Sequence, residues 1–226
     1  MKAATSPLRG TGRRAGLDHD AIVERALTLV EAEGSTALTM RRLAAELGVA
    51  TTTIYWHVGG RDEVITALIQ RLSERHAEIE IEGAGPSERV MCVARHVWDS
   101  ALAHRNVTAL AHQVGATSLL EMPLEIALAR ELDAAGLRGE VARDAVRAIL
   151  MCVAGFLVVA FRSDDPGPAR HQARTLWADI TADGIDRSTV TALREPPDLP
   201  ALFETAVRAL VDRFVVDVEP RDAPVA

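Results

Sequence analysis

Aromatic side chains are scarce in this 226-residue chain: one Tyr, three Trp and four Phe. Ala, Leu, Val and Arg dominate instead, which argues against a sheet-rich fold and predicts an all-α protein. Cysteine is nearly absent. Cys92 and Cys152 lie in separate apolar stretches, with neither the density of a disulfide scaffold nor the paired spacing of a zinc site, so a reducing cytoplasm is the expected setting. There is no apolar N-terminal targeting segment, and the longest uncharged run, Ala148 to Phe161, is shorter than the roughly 18 apolar residues of a membrane span. Neither export nor a membrane partner is expected. An HExxH motif, a phosphate-binding glycine loop and a nucleophile motif are all missing. No catalytic residue, metal or cofactor is therefore expected, and a helical enzyme using His96, Arg105 and His112 has no motif behind it.

Hydrophobic residues make up 48% of the chain, enough to bury a substantial core, and the formal net charge is −7. That charge is unevenly spread. Residues 1–17 carry Lys2, Arg9, Arg13 and Arg14 with no acid, while residues 18–226 hold 21 basic against 32 acidic side chains. A basic arm thus precedes an acidic body, and Arg13 and Arg14 are candidates for phosphate contact.

Structure is expected to begin at Asp18; from Asp20 apolar residues recur with helical period to Glu33, and Gly34 ends that helix. Thr39 is a candidate N-cap for a short helix closed by Gly48; a third short helix opens at Thr51 and stops at Gly59-Gly60. Two helices of about two turns joined by Gly48-Val49-Ala50 form a helix-turn-helix pattern. The expected organisation is an arm over 1–17, a DNA-binding domain over 18–62, a connector helix over 61–82 and a larger helical domain over 83–226. In the last, helices are predicted at Ser87–His104, Thr108–Val114, Ser118–Ala135, Gly139–Arg162 and Leu199–Val216. A mobile excursion is expected over 163–198, with a short helix near Ala173–Ile180.

A recognition helix places its N-terminal side chains against base edges in the major groove. Thr51, Thr52 and Thr53 stand at that end, suited either to bases and phosphates or simply to capping. Tyr55, Trp56 and His57 offer polar ring tips to phosphates, or else build a small aromatic core; Tyr55 and Trp56 are expected to do part of each. Arg61, just past the glycines, is a candidate phosphate contact or an ordinary solvated charge.

The run Leu38-Thr39-Met40-Arg41-Arg42-Leu43-Ala44-Ala45-Glu46-Leu47-Gly48-Val49, followed by Thr53-Ile54-Tyr55-Trp56-His57-Val58, resembles the TetR family of regulators. The resemblance covers about residues 18–76. It implies that Arg41 reads a guanine by a bidentate pair, and that Thr39, Thr53, Tyr55, Trp56 and His57 contact groove or backbone. Thr51 and Thr52 stand where tetracycline-binding members carry Gln-Pro, which implies a different operator.

Weaker resemblances, at Ala103-His104-Arg105-Asn106 and Leu132 to Leu137, extend to the family's C-terminal domain. They imply a homodimer through a four-helix bundle formed by 139–162 and 199–216, a palindromic double-stranded operator and a small-molecule effector. Ile149, Leu150, Val153, Phe156, Leu157, Ala160 and Phe161 cover more than one face of their helix, which fits burial on several sides, whether in a monomer core or against a partner. His96, Trp98, Arg105, His112 and Gln113 are the polar groups available to an effector, although a single His on an apolar face is more often a core residue. The family's tetracycline-contacting His, Asn and Phe fall on Ala77, Val93 and Val97, which argues against tetracycline. The expected function is a repressor that releases its operator when a mostly hydrophobic molecule binds; the alternative is a DNA-binding regulator without such control.

Overall fold

The computed structural model describes residues 18–162, 175, 177, 184–195 and 197–215. Local chemistry starts and stops the first helices. Asp18 caps α1 (His19–Glu33) by accepting the Ala21 N–H at 2.8 Å, and Thr39 caps α2 (Met40–Leu47) by accepting the Arg42 N–H at 3.1 Å. A 3-10 turn, Ser35–Ala37, separates them. Then follow α3 (Thr51–Val58) and α4 (Arg61–Ala77). Gly48 closes α2 at φ 66°, and the Val49 N–H reaches back to the Ala44 carbonyl at 3.0 Å. Only glycine adopts that backbone without strain.

The chain divides into two units, Met1–Arg71 and Leu72–Ala226, with the division inside α4. In the first, Ile22, Ala26, Val30, Leu43, Ile54 and Leu68 are fully buried or nearly so. Arg71 ties α4 to α1 through Asp20 at 3.0 Å and Glu24 at 3.1 Å.

The second unit contains α5 (Pro86–Ala103), α6 (Arg105–Gln113), α7 (Thr117–Ala134), α8 (Gly139–Arg162), α9 (Arg187–Ala192) and α10 (Leu199–Val215). Helix α5 is central and packs on α7, α8 and α10. Its core contains an aromatic triad: Trp98 stacks on Phe203 at 4.8 Å between centroids, and Phe156 meets both rings edge-on. Arg89 grips Glu131 of α7 at 2.6 and 2.8 Å and also donates to the Ile81 carbonyl at 3.2 Å.

Three sequence expectations need correcting. The connector stops at Ala77 instead of Glu82. Beyond it Ile79 and Ile81 both pack on the core, and residues two apart share a face only in extended backbone. Second, part of the supposed mobile stretch is helical: Asp186 caps α9 by accepting the Ser188 N–H at 2.8 Å, and Val190 is buried. The short helix foreseen near Ala173–Ile180 lies almost wholly outside the described residues, as does the arm with Arg13 and Arg14. Third, the segment Gly139–Phe161 is, by length and composition, apolar enough to cross a membrane, which the uncharged-run criterion missed. One face of it is core, through Ala145, Ile149, Val153 and Leu157, and its first turns carry the charged Glu140, Arg143 and Asp144.

Candidate nucleic-acid interface

In α3 the buried face is narrow. Ile54 alone is fully buried, while Thr52, Tyr55 and Trp56, spaced i, i+3, i+4, share an outward face. Tyr55 is 53% exposed and Trp56 84% exposed. The expectation that Trp56 contributes to the core is thus wrong: a helix of eight residues seated through one isoleucine has no depth left for an indole. His57 is half-buried and meets Trp56 edge-on, 5.3 Å between centroids.

The capping explanation for the threonines also fails. Ala50 occupies the N-cap and no side chain caps the helix. Thr51 and Thr53 are half-buried and Thr52 is exposed, so the Thr52 hydroxyl stands at the outer end of α3. Thr39 uses an oxygen lone pair in its cap; its O–H remains able to donate.

The arginines sort by partner. Arg42 is held by Glu33 at 3.0 Å and Glu46 at 2.9 Å, and Arg25 joins the same Glu46. Hydrogen bonding from Arg25, with Arg42 adding to it, holds the Glu46 carboxyl below its usual range. Arg61 is turned inward to the backbone, donating to the Leu38 carbonyl at 2.9 Å and the Ser35 carbonyl at 3.2 Å. Its expected role as a phosphate contact is therefore revised: it ties the start of α4 to the turn before α2. Arg41 differs from them all. It is exposed and has no ion-pair or hydrogen-bond partner among the described residues, leaving a planar fork of donors suited to a guanine edge.

The five effector candidates have different surroundings. Trp98 belongs to the aromatic triad, a place its indole fills as core. Arg105 donates to the Phe161 carbonyl at 3.1 Å and lies over the Phe161 ring, 5.2 Å from its centroid. His112 and Gln113 are exposed at the end of α6. His96 is half-buried, edge-on to His76 at 5.8 Å, and burial holds its pKa below the usual value. Among the described residues no group of three or more His, Cys, Asp or Glu side chains could hold a metal ion.

Sequence reading passed over His76 and Ser73, both buried. Ser73 donates to the Leu119 carbonyl at 2.8 Å; His76 bridges the Leu120 carbonyl at 3.1 Å and the Ser100 hydroxyl at 2.6 Å. Pro123, inside an otherwise helical run, was the available signal.

Residues 22–68 match the family model described as bacterial regulatory proteins, tetR family. The chain is 36% identical over 103 residues to the HTH-type transcriptional repressor DrrR1 of Streptomyces coeruleorubidus, covering 39% of this chain and 38% of that protein. It is 34% identical over 73 residues to the tetracycline repressor protein class D of Escherichia coli, covering 32% of this chain and 34% of that one. These matches span little more than a third of the relatives' length. Over most of the chain the fold resembles ActR of Streptomyces coelicolor in its apo form, with a TM-score of 0.71, 25% identity, and coverage of 89% of this chain and 96% of that one; ActR has also been solved in complex with actinorhodin. The matched segment thus identifies residues 22–68 as a DNA-binding region of the tetR family of bacterial regulatory proteins, and over most of its length the chain shares the fold of ActR.

Proposed function

We propose that this chain is a homodimeric, cytoplasmic transcriptional repressor that binds a palindromic operator through α2 and α3 and releases it when a small, mostly hydrophobic molecule enters the second unit. The observation that carries this reading is the outward face of α3. A 84% exposed tryptophan beside an exposed tyrosine, with the uncommitted Arg41 on the preceding helix, is unfavourable in water unless a partner covers it. Hydroxyl, phenol, indole and guanidinium donors together suit phosphates and base edges. The −7 net charge is no obstacle, since Glu46 on α2 is paired with both Arg25 and Arg42.

The dimer reading rests on α8. Met151, Val158 and Val159 point away from the protomer core, as does Leu202 of α10, and a second copy would cover them. Effector control is supported by ActR, a protein of similar fold solved with actinorhodin. A regulator without an effector is the second reading, favoured by the Trp98–Phe156–Phe203 triad that fills the core where an effector was expected to bind.

Selection of duplexes from a random-sequence pool by the purified protein, with native mass spectrometry of protein and complex, tests the reading. A palindromic motif bound by a dimer is expected. Failure to enrich any motif, or enrichment by a monomer, overturns it.

A further inference from the structure

Proline at position 123 leaves a gap in α7. An α-helix pairs each N–H with the carbonyl four residues back, but Pro123 has no N–H, and its ring crowds the Leu119 carbonyl that would have accepted. A carbonyl in this position must find another donor or remain unsatisfied. It finds Ser73 of α4, whose hydroxyl donates at 2.8 Å from a side chain that is itself buried.

One turn further along α4, on the same face, His76 contacts the next carbonyl of α7, that of Leu120, through Nδ1 at 3.1 Å. A carbonyl accepts only, so Nδ1 carries the proton and Nε2 accepts from the Ser100 hydroxyl of α5 at 2.6 Å. Two adjacent carbonyls of one helix are thus held by two side chains of another, and the second side chain is fixed by a third helix. Apolar packing alone would let helices slide by small steps, whereas a pair of directional bonds to consecutive carbonyls defines one register.

The geometry points to a latch: Ser73 and His76 are positioning residues through which the break in the α7 hydrogen-bond ladder at Pro123 sets the placement of the C-terminal turns of α4. Helix α4 is continuous from these turns to Arg61 at its start. A displacement of α7 that withdrew the Leu119 and Leu120 carbonyls would therefore release α4. This inference rests on the regulator reading for its consequence at DNA, but the latch is testable without DNA.

The experiment uses the full chain with Ser73→Ala, Pro123→Ala, the double variant and Ser73→Thr. Hydrogen exchange over α4 and affinity for a duplex selected from a random pool by the wild-type protein are measured for each. Ser73→Ala removes the donor, and Pro123→Ala restores an N–H to the Leu119 carbonyl and so makes the Ser73 hydroxyl dispensable there. Each is expected to speed exchange in α4 and to change duplex affinity by about tenfold, a usual size for coupling between sites. The double variant should go no further than either single one, and Ser73→Thr, which keeps the hydroxyl, should resemble wild type. Unchanged α4 exchange in both single variants, or effects that add in the double variant, overturns the latch. If the wild-type protein selects no duplex, the regulator reading fails and exchange alone decides the latch.

Discussion

Arg41 and Arg42 are chain neighbours with opposite surroundings: Arg42 is clamped between Glu33 and Glu46, while Arg41 projects from the same helix with no partner among the described residues. Successive residues on a helix point about 100° apart, so one faces the acids of its own unit and the other faces away. Replacing Arg41 with Ala should relax preference at one operator position by roughly 1 to 3 kcal/mol and leave melting unchanged. Arg42→Ala should lower melting and leave base preference alone. Binding across an operator library separates the two; equal losses at every position for Arg41→Ala would refute its role in base reading.

Arg61 supplies a different contrast. Its guanidinium serves the Leu38 and Ser35 carbonyls, so Arg61→Ala should destabilise the DNA-binding unit by about 1 kcal/mol, the usual net value of an intramolecular hydrogen bond. Because the Arg61 guanidinium is committed to backbone carbonyls, the salt dependence of DNA affinity should not change. A shallower salt slope with full stability would restore the phosphate role.

Glu131 is buried and Arg89 is its partner from α5. Removing one member of such a pair leaves a charge without compensation, although Arg89 keeps access to water. Glu131→Ala should therefore cost about 2 kcal/mol, less than a fully buried pair would. Chemical denaturation measures it, and a cost near zero would show that the pair is only a surface ornament.

Acid should loosen the second unit before the carboxylates titrate. Burial holds the His76 pKa below the ordinary 6.5, with His96 and His104 lowering it further and the Leu120 carbonyl opposing; burial lowers His96 too, against Asp99. Below 6.5 the unfolded chain takes up protons that the folded chain refuses. Stability is therefore complete above 6.5 and is lost as pH falls from there through the lower folded values. Melting curves from about pH 7.5 to about pH 5 should show this loss, and His76→Gln should reduce it. A flat profile in the wild-type protein would contradict the assignment.

What could be read in advance follows the range of the interactions. Gly34, Thr39 and Gly48 mark helix ends through contacts within a few residues, so the first three helices and the helix-turn-helix were legible, as was the long α8. The exposure of Trp56 was not, because it depends on how deeply α3 sits. Nor was the fate of Arg61, whose acceptors lie 23 and 26 residues away in sequence. The effector candidates were chosen as polar groups on apolar helices, a pattern shared by core residues such as Trp98 and by exposed helix ends such as His112. Only packing distinguishes those cases.

The apolar outer face of α8 yields the last prediction. Met151 is 73% exposed, and Val158 and Val159 follow it at helical spacing, while the opposite face is locked into the core through Ile149, Val153 and Leu157. Met151→Glu and Val158→Glu add charge where the protomer is already open to water, so its melting should hardly change. Against a second copy the same carboxylates would be buried without partners, at a cost that a helix-helix interface cannot absorb. Sedimentation should then show monomers. Each monomer keeps one intact α3, yet operator affinity should drop on the order of 100-fold, because the second half-site is no longer bound at high effective concentration. If both variants remain dimeric with full operator affinity, the copies meet through some other face and the assignment of α8 to the interface is wrong.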